Sequence, residues 1–341
     1  MEFVMSRLGF ACKWIDRPDQ VDGIKSTDDC KKYNTGTTTV AWLNRQIKST
    51  AEAKLLSLVK QNITAARRLV EKVGTLDDKL RMVRLSSDIL PVYTHADYSY
   101  FYQQPHVKEL LQTGFDSIGS VARARGVRLS FHPGQFCVLS SDRPDVVENS
   151  ISEFEYHADM ARWMGYGRVF QDMKINVHIS GKLGPAGFLL AYDRLSDVAK
   201  NCITIENEEY SFGLDECLTL AAYCPIVLDL HHFWIKEETY FSKEDIRMQQ
   251  IIDSWRGVRP VIHYSYSRDE HFPKDFTHDN FPDMENLLNL GYKKSKLRAH
   301  SNGYPNQTVN KYALSFLDIA DIMCEAKLKN LASFELFNQA R

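Results

Sequence analysis

The chain predicts a (β/α)8 barrel, a TIM barrel, with a metal site on one rim. Three observations lead there. Eight short apolar runs, partly β-branched, alternate with longer helical stretches. That alternation argues for a parallel sheet, and eight units favour closure over an open sheet. Nearly every run ends on a histidine or a carboxylate, and the strand C-termini of such a barrel converge on the rim where active sites are built. No GxGxxG follows the first run, which weakens a dinucleotide-binding reading.

The elements follow in order. Runs 3–12, 82–87, 128–132, 174–180, 203–207, 226–231, 260–265 and 321–326 read as buried strands. Between the first two, Leu43, Ile47, Leu55, Leu58, Ile63 and Val70 recur at about a 3.6-residue period, so a helix is expected over Trp42–Val73. Further helices are expected over His106–Arg125, Pro144–Met164, Gly187–Lys200, Asp215–Tyr223 and Lys311–Ala320. Two segments break the rhythm: a polar rim loop, 13–41, and an insertion, 266–300. Loops of that length inside a compact domain are usually functional or mobile. Both are placed in a single domain spanning 1–341. The basic stretches 123–128 and 293–298 read as solvated faces, with phosphate contact as the alternative.

Composition narrows the class. The 341 residues are 44% hydrophobic and 25% charged, enough for a large core. A net charge of −2 gives no global positive field, so nucleic acid would have to be met by a local patch. No run is long and apolar enough to span a membrane, and the first residues lack a signal-peptide core. The seven cysteines form no CxxC pair. Core thiols in a reducing compartment, cytoplasmic or nuclear in a eukaryote, are expected.

The chemistry sits at the strand ends. In Leu228-Asp229-Leu230-His231-His232, a strand-end Asp with a His three residues on can serve one metal or two adjacent ones. Taken alone, it reads equally well as an Asp capping the next helix. Glu206, after Ile203-Thr204-Ile205, is costly in a buried strand unless paired or metal-bound, and Arg84 or Lys174 could pair it. Glu325 follows Ile322-Met323-Cys324 by the same logic. His132 precedes Pro133-Gly134, which end the strand and turn the chain over the barrel mouth. His178 and His263 alternate with apolar neighbours. A lone histidine in such a place is more often a hydrogen-bonded core residue. Three carboxylates and several histidines on one barrel end shift the reading to metal, with imidazole and carboxylate together suiting manganese or zinc. His106 and His157 lie in helices and read as solvated or capping; His271 and His278 carry no assignment.

Set together, these stretches resemble the UV damage endonuclease family. The resemblance rests on Arg7-Leu8-Gly9-Phe10-Ala11-Cys12, Arg84-Leu85-Ser86-Ser87 with His95, and His132-Pro133-Gly134-Gln135. It continues through Val177-His178-Ile179-Ser180-Gly181, Ile205-Glu206-Asn207, Asp229-Leu230-His231-His232, His263-Tyr264-Ser265, His300-Ser301 and Glu325-Ala326-Lys327. The family is also similar to endonuclease IV. The resemblance implies a metal-dependent DNA repair endonuclease that nicks duplex DNA 5′ to UV photoproducts, acting as a monomer without a nucleotide cofactor or a membrane. It implies three divalent ions, manganese before zinc, held by His95, His132, His178, Glu206, Asp229, His232, His263, His300 and Glu325, with Glu206, Asp229 and Glu325 as the catalytic carboxylates. Clustered divalent ions suit phosphodiester hydrolysis because they activate water and neutralise charge on the leaving oxygen. Lesion probing falls to Gln135, Phe136, Phe10 and Trp14, of which the last three depart from the family's usual Tyr, Tyr and Asn. Val261 stands where a Lys is common, which would leave the third ion short of a neighbour.

Three alternatives stay open. An abasic-site nuclease of the endonuclease IV kind would share the metals and differ in its probes. A metal-dependent sugar isomerase or epimerase would need a catalytic Lys or paired acids, and no such set stands beyond the ligands. A dead barrel that only binds damaged DNA is at odds with the apparent ligand set.

Overall fold

The computed structural model describes residues 6–22 and 27–340. Eight parallel strands form one sheet: β1 (Leu8–Ala11), β2 (Met82–Arg84), β3 (Arg128–Phe131), β4 (Lys174–His178), β5 (Ile203–Glu206), β6 (Ile226–Val227), β7 (Val261–Tyr264) and β8 (Asp321–Cys324). Their order is β6-β5-β4-β3-β2-β1-β8-β7. A parallel bridge between Asp229 and His263, with His263 N–H donating to the Leu228 carbonyl at 2.9 Å, joins the two ends. The expected barrel is the fold found.

All eight strands were expected, but each is shorter at its C-terminal end; residues 3–5 of the first expected run lie outside the described residues. The chain leaves the ladder at or just before the chemical groups, so His132, Asp229 and Glu325 sit on the loops and are free to aim into the mouth. The sixth run was overread most. Its last two residues, Leu230 and His231, open the helix Leu230–Glu237.

Helix boundaries differ where local chemistry outweighs periodicity. The helix over 42–73 is divided into Val40–Leu43 and Lys48–Val73, and the one over 187–200 into Gly184–Tyr192 and Asp197–Cys202, where the Ser196 side chain caps the second piece. The helix Pro105–Arg125 is bounded by its own signals: Pro105 starts it, and Gly126 at φ 63° stops it with a left-handed cap. Helices at Ile246–Ser254 and Lys329–Gln339 were not anticipated.

The two basic stretches serve the scaffold as well as the surface. Arg128 pairs with buried Asp321 at 2.7 Å, and Arg259 and Arg7 converge on the same carboxylate. These groups lie at the N-terminal ends of β3 and β8, opposite the rim that carries the chemistry. Arg123 donates to the Met164 carbonyl. Six of the seven cysteines, 30, 137, 202, 217, 224 and 324, lie buried as free thiols.

The insertion 266–300 folds back on its own base. Ser267 pairs antiparallel with His300, and Ser301 N–H donates to the Tyr266 carbonyl at 2.7 Å. Stacked rings of Tyr266, Phe272 and Phe276 fill it. Its length therefore costs the site nothing: His300 returns to the end of β7.

Candidate metal centre

Glu206 ends β5 wholly buried, and three imidazoles face its Oε2: His263 Nδ1 at 3.0 Å, His132 Nε2 at 3.4 Å and His178 Nε2 at 3.9 Å. Asn176 Nδ2 donates to the same oxygen and accepts at its own Oδ1 from the Thr204 hydroxyl at 2.7 Å, which fixes the carboxylate plane. Two donor groups result. His132, His178 and Glu206 form one; Glu206, Asp229, His263 and Glu325 form the other, each with donor atoms within 4.8 Å of one another. Glu206 belongs to both.

Asp229 shows how a helix cap and a ligand coexist. Its Oδ1 accepts from the N–H groups of His231 at 2.8 Å and His232 at 2.7 Å, capping the helix Leu230–Glu237. Its Oδ2 is buried with no hydrogen-bond partner. Asn207, next to Glu206, holds the Asp229 backbone from both sides, accepting from its N–H at 2.8 Å and donating to its carbonyl at 3.2 Å. The capping role and the ligand role thus fall to different oxygens of one side chain.

The charge balance asks for cations. Glu206 Oε1, Asp229 Oδ2, His263 Nδ1 and His178 Nδ1 are all buried without a hydrogen-bond partner. Unpaired buried polar atoms cost of order 1–3 kcal/mol each; His178 Nδ1 faces Glu208, while the Glu206, Asp229 and His263 atoms belong to one donor group and fit a divalent ion bound by oxygen and nitrogen. Burial, reinforced by Glu206 and Glu325, pushes the Asp229 carboxyl well above its ordinary range. Burial works the same way on Glu206, but His263, His178 and His132 outweigh it and hold that carboxyl well below the usual value. Burial lowers His263 to about 4 and lowers His178 and His300 too, so these rings are neutral and offer lone pairs. His232 is the exception. Burial opposes its charging, but Asp229, Glu206, Glu209 and Glu325 raise it to about 10.

Both cations named as partners of Glu206 are found elsewhere. Arg84 pairs with Glu325, and Lys174 Nζ lies 2.7 Å from His263 Nε2. Burial brings the Lys174 ammonium down to about 7 against the pull of Glu206. Val261 is a buried ladder residue in register with Asp321. A lysine nevertheless reaches the seventh-strand histidine, from β4.

The other expected site residues are placed as follows. His300 Nδ1 is 3.0 Å from the Glu325 carbonyl, and its ring lies 6.3 Å from that of His232. His95 stands apart from both donor groups: its Nδ1 accepts from Asp97 N–H at 3.2 Å, and it lines a cleft of about 520 Å³ with Thr94, Gly134, Phe136 and Asn149. Gln135 and Phe136 occupy the tip of a turn closed by Cys137 N–H donating to the Gly134 carbonyl at 2.9 Å, and Phe136 is 84% exposed. Phe10 corrects the expectation of a lesion probe. It is 1% exposed and packs edge-on against Trp14, which itself lies between Tyr33 and Phe334. Both aromatics serve the packing between β1 and the helix Lys329–Gln339; Phe10 is withheld from a duplex, whereas Trp14 is half-buried. His157, read as solvated or capping, is fully buried between the Glu153 carbonyl at 2.8 Å and the Ser87 hydroxyl at 2.9 Å. Sequence reasoning passed over Glu208, 3.5 Å from His178 Nδ1, and Glu209, 3.7 Å from His232 Nε2. Two further acids directly behind a strand-end Glu-Asn were the available signal.

Comparison with known proteins shows the family and the fold. A UV DNA damage endonuclease of Bacillus velezensis is 29% identical over 69% of this chain and 72% of its own length. One of Clostridium perfringens is 27% identical over 89% of this chain and 68% of its own. The crystal structure of SacUVDE superposes with a TM-score of 0.71 at 21% identity, covering 98% of this chain and 97% of that one. The family described as UV-endonuclease UvdE matches residues 6–341, and the chain belongs to that family.

Proposed function

We propose that this protein is a divalent-metal-dependent endonuclease that nicks duplex DNA 5′ to UV photoproducts. The observation that carries the reading is the sharing of Glu206 by two donor groups, with unpartnered buried atoms of Asp229 and His263 in the second of them. His132, His178 and Glu206 would hold one ion, and Glu206, Asp229, His263 and Glu325 a second. His232 and His300 would contribute to a third, and manganese suits this mixed nitrogen and oxygen set. When bound, the ions supply activation of water and neutralisation of charge at the phosphodiester.

The chain's own residues do the rest. Asn176 and Asn207 keep Glu206 and Asp229 in register, and Lys174 and the Asn207 carbonyl fix which nitrogen His263 and His232 present. Arg84, beside Glu325 at the mouth, is placed to meet a phosphate once Glu325 turns to an ion. Phe136 and Gln135, projecting from the turn behind His132, would fill the gap left when a damaged dinucleotide leaves the stack. The exposed cleft between Phe136 and His95 lies directly beside that turn.

The test is one set of matched duplexes, undamaged, UV-irradiated and abasic, offered to chelated protein with and without added manganese. Manganese-dependent nicking of the irradiated duplex, 5′ to the lesion, is expected. Preferential nicking of the abasic duplex would transfer the assignment to an endonuclease IV-like activity, and nicking in chelator would overturn the metal reading.

A further inference from the structure

We infer that the basic turn closing the insertion, residues 293–298, is a docking surface for the phosphate backbone of the duplex that flanks the lesion. The inference rests on the DNA reading above and adds a contact that reading does not assign. Charge is segregated along the insertion: residues 269–285 hold six acids against Lys274, whereas 293–298 hold four cations and no acid. Two of the four anchor the turn. Lys294 pairs with Glu238 at 2.7 Å, and Arg298 pairs with Glu209 at 2.7 Å while its guanidinium lies over the Tyr210 ring. Between them Leu297 is fully buried, and its carbonyl accepts from the Ser267 hydroxyl at 2.6 Å and lies 3.1 Å from His231 Nε2. A run of cations that only needed water would need none of these ties. Lys293 and Lys296 remain exposed, with no hydrogen-bond or ion-pair partner for either ammonium among the described residues.

The fold sets where these cations stand. Passing from β3 to β7 takes four strand steps in either direction, so the insertion after β7 faces the Phe136 turn across the barrel mouth. Glu209, the partner of Arg298, is 3.7 Å from His232 Nε2, so the turn borders the metal centre. Eight strands about 4.8 Å apart and tilted by roughly 36° enclose a ring about 15 Å across. At about 3.4 Å per base pair, a duplex with its lesion at Phe136 and its backbone on the turn spans at least roughly four base pairs. Phosphate oxygens complement two ammonium groups that have no partner, and such contacts position a duplex without reading its sequence or its damage. With a net charge of −2 the chain has no global field to do this, so a local patch must.

Salt dependence tests the surface. Manganese-loaded wild type, Lys293→Ala/Lys296→Ala and Lys54→Ala/Lys60→Ala would be titrated with undamaged duplex over a range of salt, with melting and manganese content as folding controls. Lys54 and Lys60 are exposed on the outer helix Lys48–Val73, so their loss changes the net charge equally and leaves the turn intact. Losing two phosphate contacts should lower the slope of log Kd against log salt by about 1.8, so the advantage of wild type shrinks roughly tenfold between about 50 and 200 mM. Lys54→Ala/Lys60→Ala should keep the wild-type slope. On a duplex with one photoproduct, Lys293→Ala/Lys296→Ala should raise KM for nicking, and the difference should vanish when one arm is trimmed below about four base pairs. An unaltered slope in Lys293→Ala/Lys296→Ala, or an equal fall in Lys54→Ala/Lys60→Ala, would overturn the proposal, as would a KM difference that survives trimming of either arm. Wild type that fails to nick the photoproduct duplex would overturn the function proposed above and leave the slope test of this surface standing.

Discussion

Replacing Asp229 with Asn separates two jobs of one side chain. Asp229 Oδ1 caps a helix through two N–H groups, while Oδ2 is buried and unpartnered. Asn keeps the capping oxygen and exchanges the other for an NH2 with no lone pair to give. Ala loses both, at about 1 kcal/mol for the cap, up to ~2. Burial with Glu206 and Glu325 close by disfavours the charged Asp229 carboxylate, so Asn relieves the ion-free protein of an unfavourable group. Urea unfolding in chelator should therefore rank Asp229→Asn at or above wild type and Asp229→Ala below it. With metal, wild type ranks above Asp229→Asn. Loss of one donor from a centre that stabilises the transition state by several kcal/mol, taken as about 4, corresponds to roughly a thousandfold fall in nicking rate. Nicking of UV-irradiated supercoiled plasmid gives the rate, and elemental analysis gives the ion. Wild-type nicking and metal content in Asp229→Asn would refute the ligand assignment; unfolding as easily as Asp229→Ala would refute the division of labour between the oxygens.

Three other outcomes follow from particular contacts. Phe136→Ala, at an 84% exposed position, should leave the urea midpoint within about 0.5 kcal/mol of wild type. It should weaken binding of irradiated over undamaged duplex by about 1–3 kcal/mol, roughly five- to hundredfold, in a competition titration. Asn207→Ala leaves the buried N–H of Asp229 unpaired, while its carbonyl keeps the Phe233 N–H at 3.0 Å, and should cost roughly 1–3 kcal/mol in urea unfolding, with metal content falling alongside. His157 is held neutral by burial, its pKa lowered from 6.5 to about 4. The unfolded chain binds the proton more readily, so this contribution is full above pH 6.5 and lost as pH falls from 6.5 towards 4. It amounts to roughly 3 kcal/mol. His157→Gln should flatten the stability profile across that window, and an unchanged slope would exclude it as the source.

The barrel was legible because its strands are apolar, separated by helices and eight in number, all local properties of the chain. Much of the centre was legible too, since a buried Glu206 or Glu325 is too costly to be accidental without a partner. What was not legible depends on distance in the fold. That Lys174 reaches His263 from β4, or that Arg84 chooses Glu325 over Glu206, follows from strand register, which no single run contains. The family resemblance offered Phe10 and Trp14 as probes, but Phe10 is buried against Trp14, which in turn packs on Phe334, more than three hundred residues later. His157 has the sequence surroundings of a surface histidine, but Ser87 and the rings of Phe131 and Tyr156 close around it. The insertion obscured His300 for the same reason: its ends meet through a bridge that sequence spacing cannot show.

The central claim is that Glu206 joins two ions. Anomalous difference density at the manganese edge, from crystals grown with manganese, tests it most directly. Two peaks about 3.5–4 Å apart are expected, both touching Glu206, one shared with His132 and His178 and the other with Asp229, His263 and Glu325. Absence of any peak within bonding distance of Glu206, or a single peak that leaves either group unligated, would contradict it.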